Sequence, residues 1–231
     1  MSDSGLDLDV AVLVVAKAPV PGLAKTRLAA DIGDDRAADI AAAAMLDTLA
    51  AVAGVRAAYR IVALTGNLEL AARRRCVMDA LHGVTVIEQR GAGFAERLVY
   101  AHVDSAEIAG LPVLQIGMDT PQVTSSQLSS AARILTQTER PTVLGPAADG
   151  GWWALGVPNA AIAAALSRVS MSRPDTGIAT HSALTTAGAR VRLLPLLRDV
   201  DSADDLVPVA GVCQPRSLFR DAVASLYHHR R

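Results

Sequence analysis

An aspartate that directly follows a short apolar run is the first residue whose position suggests chemistry. The run, residues 113–116, ends in Gly-Met-Asp-Thr-Pro, a segment that carries Asp119 and Pro121. An apolar run that stops at glycine and proline is typical of a buried strand ending in a turn. In open α/β sheets, ligands bind beyond the carboxyl ends of the strands. By position alone, Asp119 therefore fits a catalytic, metal-binding carboxylate and an ordinary turn residue equally well.

Three cationic side chains follow the first apolar run, residues 10–16, in a loop that two prolines and a glycine stiffen. Cations placed this close together repel each other unless they meet an anion, and phosphate suits both the forked arginine and the compact lysine. The loop matches neither the Walker spacing nor the dinucleotide-binding glycine fingerprint. We interpret it as a phosphate-binding loop, because a solvated basic loop would not need stiffening. Its candidate phosphate-binding residues are Lys17, Pro21, Gly22, Lys25 and Arg27.

Two further loops contain glycine pairs. The first, residues 89–97, places Gly91 and Gly93 before a predicted helix, where backbone amides could approach a nucleotide closely. An ordinary flexible loop explains these two glycines equally well.

The second glycine-containing loop, residues 145–153, combines a carboxylate with both tryptophans of the sequence. Asp149 is a catalytic candidate, and alternation along a strand puts the two tryptophans on opposite faces, one in the core and one free to cover a ligand. The alternative, which is compatible with a ligand site, is a type I′ hairpin turn at Asp149 and Gly150. The candidate substrate-binding residues are Gly150, Gly151 and Trp152.

A second pair of carboxylates, Asp199 and Asp201, follows the last predicted strand and precedes a helix with a capping-box pattern, Ser-Ala-Asp-Asp. They could act only as charges at the start of that helix. If Asp201 approached Asp119 to within ~4 Å, the repulsion would cost about 4 kcal/mol at an intermediate dielectric. Mg²⁺ or Mn²⁺ would remove this cost, since both ions accept oxygen ligands. We therefore predict a metal site formed by Asp119 and Asp201.

Strand and helix patterns alternate along the chain, which predicts an α/β fold with helices on both faces of a mostly parallel sheet. The two strands around residue 150 have no helix between them, so the second half of the sheet should be mixed. We predict a disordered tail over residues 1–9 and one nucleotide-binding domain over residues 10–231. The predicted strands are 10–16, 59–64, 84–87, 113–116, 142–144, 152–157 and 191–194. The predicted helices are 34–53, 67–81, 94–109, 124–138, 175–187, one beginning at Ser202, and 215–228.

Composition restricts the remaining possibilities. The 231 residues carry a formal net charge of −1, which argues against a nucleic-acid partner. No apolar run is long enough for a transmembrane helix, and the acidic start lacks the basic residues of a signal peptide. Cys76 and Cys213 have no ligand spacing, so we expect reduced thiols in a cytoplasmic protein. The sequence leaves a homo-oligomer open.

Four segments together resemble the DUF2064 family, part of the nucleotide-diphospho-sugar transferase (GT-A glycosyltransferase-like) superfamily. They are AKAPVPGLAKTRL at residues 16–28, IGMDTP at 116–121, LGPAADGGW at 144–152 and DVD at 199–201. The chain is also similar to the molybdenum-cofactor and phospholactate guanylyltransferases. The resemblance implies a three-layer α/β/α sandwich of GT-A type that binds a nucleotide near the first loop. It also implies metal binding by Asp119, with Asp201 as the second ligand.

The resemblance leaves three functions open, because the Asp119 turn has a single aspartate instead of Asp-x-Asp and the first loop lacks the usual glycine-rich form. The first is a glycosyltransferase that uses a nucleotide-diphosphate-sugar donor and a divalent metal. The second is a guanylyltransferase-like nucleotidyltransferase that acts on a phosphorylated acceptor. The third is a non-catalytic nucleotide-binding protein. The expected partners are a nucleotide or nucleotide-sugar and a small-molecule acceptor.

Overall fold

A seven-stranded sheet forms the centre of the molecule in a computed structural model that describes residues 7–228. The strand order is β3-β2-β1-β4-β6-β5-β7. Strand β6 runs antiparallel to both of its neighbours, and the other pairs are parallel. The strands are β1 (Leu8–Lys17), β2 (Ala57–Thr65), β3 (Thr85–Glu88), β4 (Val113–Gly117), β5 (Thr142–Pro146), β6 (Trp152–Val157) and β7 (Val191–Leu193). The predicted mixed character of the second half of the sheet is confirmed.

Helices cover both faces of the sheet, as expected for the predicted three-layer sandwich. Central strand β1 is buried on both sides: Val12 and Val14 pack with α2 and α5, and Leu13 packs with α4 on the opposite face. A separate apolar cluster joins α1, α2, α8 and α9. The helices are α1 (Thr26–Ile32), α2 (Asp34–Ala53), α3 (Arg74–Ala80), α4 (Phe94–Ala109), α5 (Ser125–Leu135), α6 (Ala160–Ala163), α7 (Thr176–Thr186), α8 (Ala203–Val212) and α9 (Leu218–His228). Short 3₁₀ turns occur at Leu68–Leu70 and Ala164–Arg168.

The structure corrects the sequence predictions for the third helix and for the N-terminal tail. The helix predicted over residues 67–81 is interrupted before α3, because Arg73 takes a left-handed backbone conformation with φ 49°. Arg73 also makes a forked ion pair with Asp39 of α2, at 2.7 and 2.8 Å, which holds the interruption in place. The first strand begins at Leu8, so residues 8 and 9 do not belong to a tail. Residues 1–6 of the predicted tail lie outside the described residues.

The helix starts near the predicted site have the expected caps. The Asp205 carboxylate accepts hydrogen bonds from the backbone N–H and the hydroxyl of Ser202, both at 2.9 Å, at the start of α8. Thr124 and Gln127 form a capping box at the start of α5. Both helices begin directly after the turns that carry the candidate carboxylates, so the caps fix the directions in which those turns leave the sheet.

One histidine is fully buried beneath the strand that leads to Asp119. His102 of α4 has no hydrogen-bond partner for either ring nitrogen among the described residues. Burial lowers the pKa of His102 from 6.5 to about 4, and the nearby Gln115 of β4 opposes this shift in part. The imidazole is therefore neutral at pH 7 in the folded protein.

The remaining composition-based expectations concern cysteines and membranes. Cys76 is exposed on α3, Cys213 is buried directly after α8, and both are free thiols. Among the described helices, none has both the length and the apolar character that crossing a bilayer requires.

Candidate functional site

The candidate site lies where the adjacent parallel strands β1 and β4 end. The loop after β1 turns back towards β4, and Lys25 ends this loop with a left-handed backbone, φ 50° and ψ 49°. The Lys25 Nζ donates to Asp119 Oδ2 at 2.7 Å and to Asp201 Oδ1 at 2.9 Å. Only 13% of the lysine side chain is exposed. One ammonium thus joins three segments that are far apart in the chain.

The segment after β7 carries Asp201 from the edge of the sheet to its centre. We call residues 194–201 the crossing segment, because it passes over the ends of β5 and β6 before it reaches β4. Three of its backbone N–H groups donate hydrogen bonds to carbonyl groups along this path. Leu194 donates to Leu144 and Leu197 donates to Pro146, both in β5. Val200 then donates to the carbonyl of Asp119, after β4. This sequence of bonds explains how residues after an edge strand meet the turn after a central strand.

Two side chains from the sheet side donate hydrogen bonds to backbone carbonyls of the crossing segment. The indole Nε1 of Trp153 donates to the Pro195 carbonyl at 3.0 Å. The amide of Gln122, which follows the Asp119 turn, donates to the Arg198 carbonyl. Sequence reasoning missed Gln122, since a glutamine after a turn gives no signal of such a contact.

Three carboxylates meet at the end of this path. One oxygen from each of Asp119, Asp199 and Asp201 lies within 4.8 Å of the others. The structure therefore brings Asp119 and Asp201 together and adds Asp199, which was not among the predicted ligands. Burial, together with the charges of Asp119, Asp149 and Asp201, raises the pKa of Asp199 from 3.8 to about 7. Asp199 thus lacks compensating positive charge.

The lysine in this cluster is held in its charged form. Burial alone would lower the pKa of Lys25, but the charges of Asp119 and Asp201 outweigh this effect and raise the pKa above its ordinary value. An ammonium between carboxylates relieves their repulsion, which is also what a bound divalent cation would do. Three oxygen donors around one point suit Mg²⁺ or Mn²⁺.

The other two cations of the first loop have different surroundings. Arg27 lies in the first turn of α1, 75% exposed, with its Nη1 3.6 Å from Asp201 Oδ2. Lys17 instead donates from Nζ to the Leu23 carbonyl at 2.6 Å, so it closes the loop on itself.

Sequence reasoning treated residues 17–27 as a loop and missed α1. The pair Leu28 and Ile32, buried one helical turn apart, was the available signal.

The remaining predicted residues of this loop lie at its exposed bend. Pro21 and Gly22 are exposed, and Gly22 has a left-handed φ of 74°. A glycine is favoured at such an angle. No described contact joins either residue to the carboxylates, so their role in phosphate binding stays a prediction.

The loop after β3 lies at the same edge of the sheet, separated from β4 by the two strands β2 and β1. The Gln89 side chain donates to the carbonyls of Ala16 and Ala63, at 2.7 and 2.8 Å, and fastens this loop to the ends of β1 and β2. Gly91 has φ 128°, and a Cβ there would lie 2.9 Å from Glu96 Cβ, so the loop itself requires this glycine. Gly93 has open space around it, so its role towards a nucleotide stays a prediction.

The loop between β5 and β6 places Asp149 near the carboxylates, since its charge acts on Asp199. The predicted type I′ turn is wrong. That turn needs positive φ at both central residues, and only Gly150, at 89°, has one. The arrangement is that of a three-residue hairpin loop with a glycine bulge. Asp149 Oδ1 accepts a hydrogen bond from the Gly151 N–H at 2.8 Å.

The glycines of this loop have different reasons to lack a side chain. A Cβ on Gly150 would lie 1.8 Å from the Pro174 carbonyl oxygen, so this glycine is required by packing within the protein. A Cβ on Gly151 would meet the Asp149 carboxylate at 3.1 Å. Of these two positions, Gly151 is the one that borders the candidate catalytic group.

The two tryptophans occupy opposite faces of β6, as the alternation predicts. Trp153 is 3% exposed and belongs to the core with α2 and α5. Trp152 is partly buried against the opposite cluster. Trp152 is therefore the one of the pair with surface left for a ligand, and its role in substrate binding stays a prediction.

Solved structures with the same architecture define the class of fold. A provisionally assigned nucleotide-diphospho-sugar transferase from Desulfovibrio desulfuricans G20 is 23% identical, with a TM-score of 0.80, over 96% of this chain and 95% of its own. The protein Rv0371c from Mycobacterium tuberculosis H37Rv, in complex with manganese, is 19% identical, with a TM-score of 0.53, over 87% and 97%. CMP:2-keto-3-deoxy-manno-octonic acid synthetase in complex with CTP is 12% identical, with a TM-score of 0.51, over 96% and 99%. The fold is that of the nucleotide-diphospho-sugar transferases.

The chain belongs to the DUF2064 family, described as an uncharacterized protein conserved in bacteria, whose model matches residues 48–173. This match includes Asp119 and Asp149, whereas Lys25 and Asp201 lie outside it. No curated protein matches the chain.

Proposed function

We propose that the protein is a metal-dependent glycosyltransferase that uses a nucleotide-diphosphate-sugar donor. The observation that carries the proposal is the meeting of a cationic loop with three carboxylates, Asp119, Asp199 and Asp201, at the ligand-binding edge of the sheet. The neighbours that contain manganese and CTP support a divalent metal and a nucleotide at this site, which both candidate reactions require.

The three carboxylates suit a divalent cation. Asp199 is partly buried beside the other two carboxylates, and burial together with their negative charge raises its pKa, which supports a cation in the working site. Asp119 and Asp201 would hold the ion, with Asp199 as a third ligand or as an acceptor for its bound water. When bound, the ion would neutralise charge on the diphosphate leaving group. Mg²⁺ and Mn²⁺ both suit oxygen ligands, so either could serve.

The choice of donor is supported by the Desulfovibrio neighbour, which is provisionally assigned as a nucleotide-diphospho-sugar transferase and has a TM-score of 0.80 over 96% of this chain. A nucleotide-diphosphate-sugar would place its diphosphate beside the metal and the cations of the first loop.

The residues around the carboxylates have distinct roles in this proposal. Lys25 and Arg27 bind diphosphate oxygens. Asp149 is the candidate general base, because Gly151 occupies its Oδ1 and leaves Oδ2 to accept a proton from the acceptor hydroxyl. The acceptor oxygen then bonds to the anomeric carbon as the bond from that carbon to the diphosphate breaks. Trp152 and Gly151 are the proposed wall against which the sugar lies.

Nucleotidyl transfer onto a phosphorylated acceptor is the second candidate. Arg27 is 75% exposed and can turn from Asp201 towards a longer phosphate chain, which favours nucleotidyl transfer from a nucleoside triphosphate. The two reactions release different products, a nucleoside diphosphate in one and pyrophosphate in the other. A donor series of UDP- and GDP-sugars against GTP and CTP, with both products measured, separates them.

The decisive test of the site is calorimetry of these nucleotides with Mn²⁺ or EDTA, using the wild type and Asp119→Asn. Asparagine keeps the size of the side chain and removes its charge, so we expect the fold to survive and Mn²⁺-dependent nucleotide binding to disappear. Asp204→Asn is the control, since it removes an exposed charge near Asp201 that has no described contact with Lys25. Equal nucleotide binding in EDTA and in Mn²⁺, in both the wild type and Asp119→Asn, would show that Asp119 is a turn residue.

A further inference from the structure

The lysine between the carboxylates occupies the place that a metal ion would need. Its Nζ lies 2.7 Å from Asp119 Oδ2 and 2.9 Å from Asp201 Oδ1. An Mg²⁺ ion bound by the same oxygens would lie about 2.0–2.1 Å from each of them. The two cations would therefore share one small space between the same two atoms, where their like charges repel.

The choice of residue supports this interpretation. Of the 22 lysines and arginines in the sequence, only Lys17 and Lys25 are lysines. An ammonium is a compact point charge that resembles an ion between two carboxylates, whereas a guanidinium is a planar fork. Lys25 also takes a left-handed backbone conformation, which costs energy in residues other than glycine and persists only where surrounding contacts hold it.

A phosphate group offers the ammonium a different partner. Lys25 ends the proposed phosphate-binding loop, and the neighbouring Arg27 is already exposed beside Asp201. When diphosphate oxygens arrive, the ammonium can leave the carboxylates for the phosphate, and the freed carboxylate oxygens can bind a metal. Each ligand thereby removes an obstacle to the other, which is positive coupling between two sites.

We infer that Lys25 acts as an exchangeable internal cation: it occupies the carboxylate site in the free protein and gives it up to a divalent metal only when a diphosphate takes over its ammonium. This inference rests on the proposed function, because it assumes that Asp119 and Asp201 bind the metal. It adds that the free protein resists metal, so that metal and nucleotide bind as a coupled pair.

The first test measures Mn²⁺ binding without any phosphate, by the electron paramagnetic resonance signal of free Mn²⁺. Lys25→Met has similar length and no charge, so we expect Mn²⁺ affinity to rise by a factor between about 5 and 150, the usual range of coupling. Arg36→Met is the control, because it removes an exposed positive charge that has no described carboxylate partner. Lys25→Arg keeps the positive charge and should leave Mn²⁺ binding weak. This variant provides a second measurement if Lys25→Met folds poorly.

The second test is the reciprocal one, with inorganic pyrophosphate titrated into metal-free protein in EDTA. Asp119→Asn frees the ammonium from one carboxylate, so pyrophosphate affinity should rise severalfold, whereas Asp204→Asn should change it little. The inference is overturned if, without phosphate, Lys25→Met binds Mn²⁺ no more tightly than Arg36→Met, while Asp119→Asn still abolishes Mn²⁺ binding in the presence of nucleotide. If Mn²⁺ binding is insensitive to Asp119→Asn as well, the proposed metal site itself fails, and the inference fails with it.

Discussion

The buried His102, which lies next to β4, allows a quantitative prediction of how the free energy of unfolding depends on pH. His102 is neutral in the folded protein, because burial lowers its pKa from 6.5 to about 4. In the unfolded chain it has its ordinary pKa and binds a proton below about pH 6.5. Between about pH 6.5 and pH 4 the unfolded state therefore binds more protons than the folded one, so stability must fall as the pH falls through this range.

The size of the effect follows from the shift. A difference of about 2.5 pKa units corresponds to about 3.4 kcal/mol once the pH is below both values. At pH 5 the same linkage gives about 2 kcal/mol, and at pH 6 about 0.8 kcal/mol. A loss of about 2 kcal/mol is a large part of the total stability of an ordinary domain.

Urea unfolding at pH 7.5, 6 and 5 tests this prediction in the wild type and in His102→Gln. Glutamine cannot gain a proton, so the variant should lose about 2 kcal/mol less stability between pH 7.5 and pH 5 than the wild type does. His82→Gln, which removes an exposed histidine, should follow the wild type. If His102→Gln and the wild type lose stability in parallel, His102 is not a buried neutral group and the reasoning is refuted.

The loops around the carboxylates give further predictions. Gly150→Ala should lower the free energy of unfolding by about 3 kcal/mol or more, because its Cβ would overlap the Pro174 carbonyl at a left-handed φ. Gly151→Ala should cost less stability than activity, since its methyl group presses on Asp149; a lower melting temperature with full activity per folded molecule would contradict this. Trp153→Phe removes the hydrogen bond to Pro195 and should cost about 1 kcal/mol, while Mn²⁺-dependent nucleotide binding also weakens. Unchanged binding would mean that this hydrogen bond does not position the carboxylates.

Sequence patterns predicted the sheet better than the site. Uninterrupted apolar runs mark strands that are buried on both faces, so β1, β4 and β6 were found within one or two residues. The helix over residues 67–81 was predicted too long, because the left-handed Arg73 and its ion pair with Asp39 depend on a contact between elements that local pattern does not contain.

The site was predicted in part for a related reason. Asp119 and Asp201 could be singled out because both were expected after strands. Asp199 was not among the predicted ligands, since its partial burial beside Asp119 arises only from the path of the crossing segment. Lys25 was predicted to bind phosphate, and nothing in its spacing showed that it lies between two carboxylates. Partial burial and ion pairs of this kind depend on distances between residues that are far apart in the sequence, and local sequence patterns do not contain those distances.

The closure of the site by Lys25 also has a consequence for the growing chain on the ribosome. Its ammonium binds Asp119 and Asp201, which lie 94 and 176 positions further along the sequence. Such contacts between distant residues form late, because the intervening chain must be ordered first. A nascent chain that ends before the crossing segment would present the Lys25–Asp119 half of the cluster without Asp201. Competence to bind metal and nucleotide together would thus arise only after the crossing segment has been synthesised.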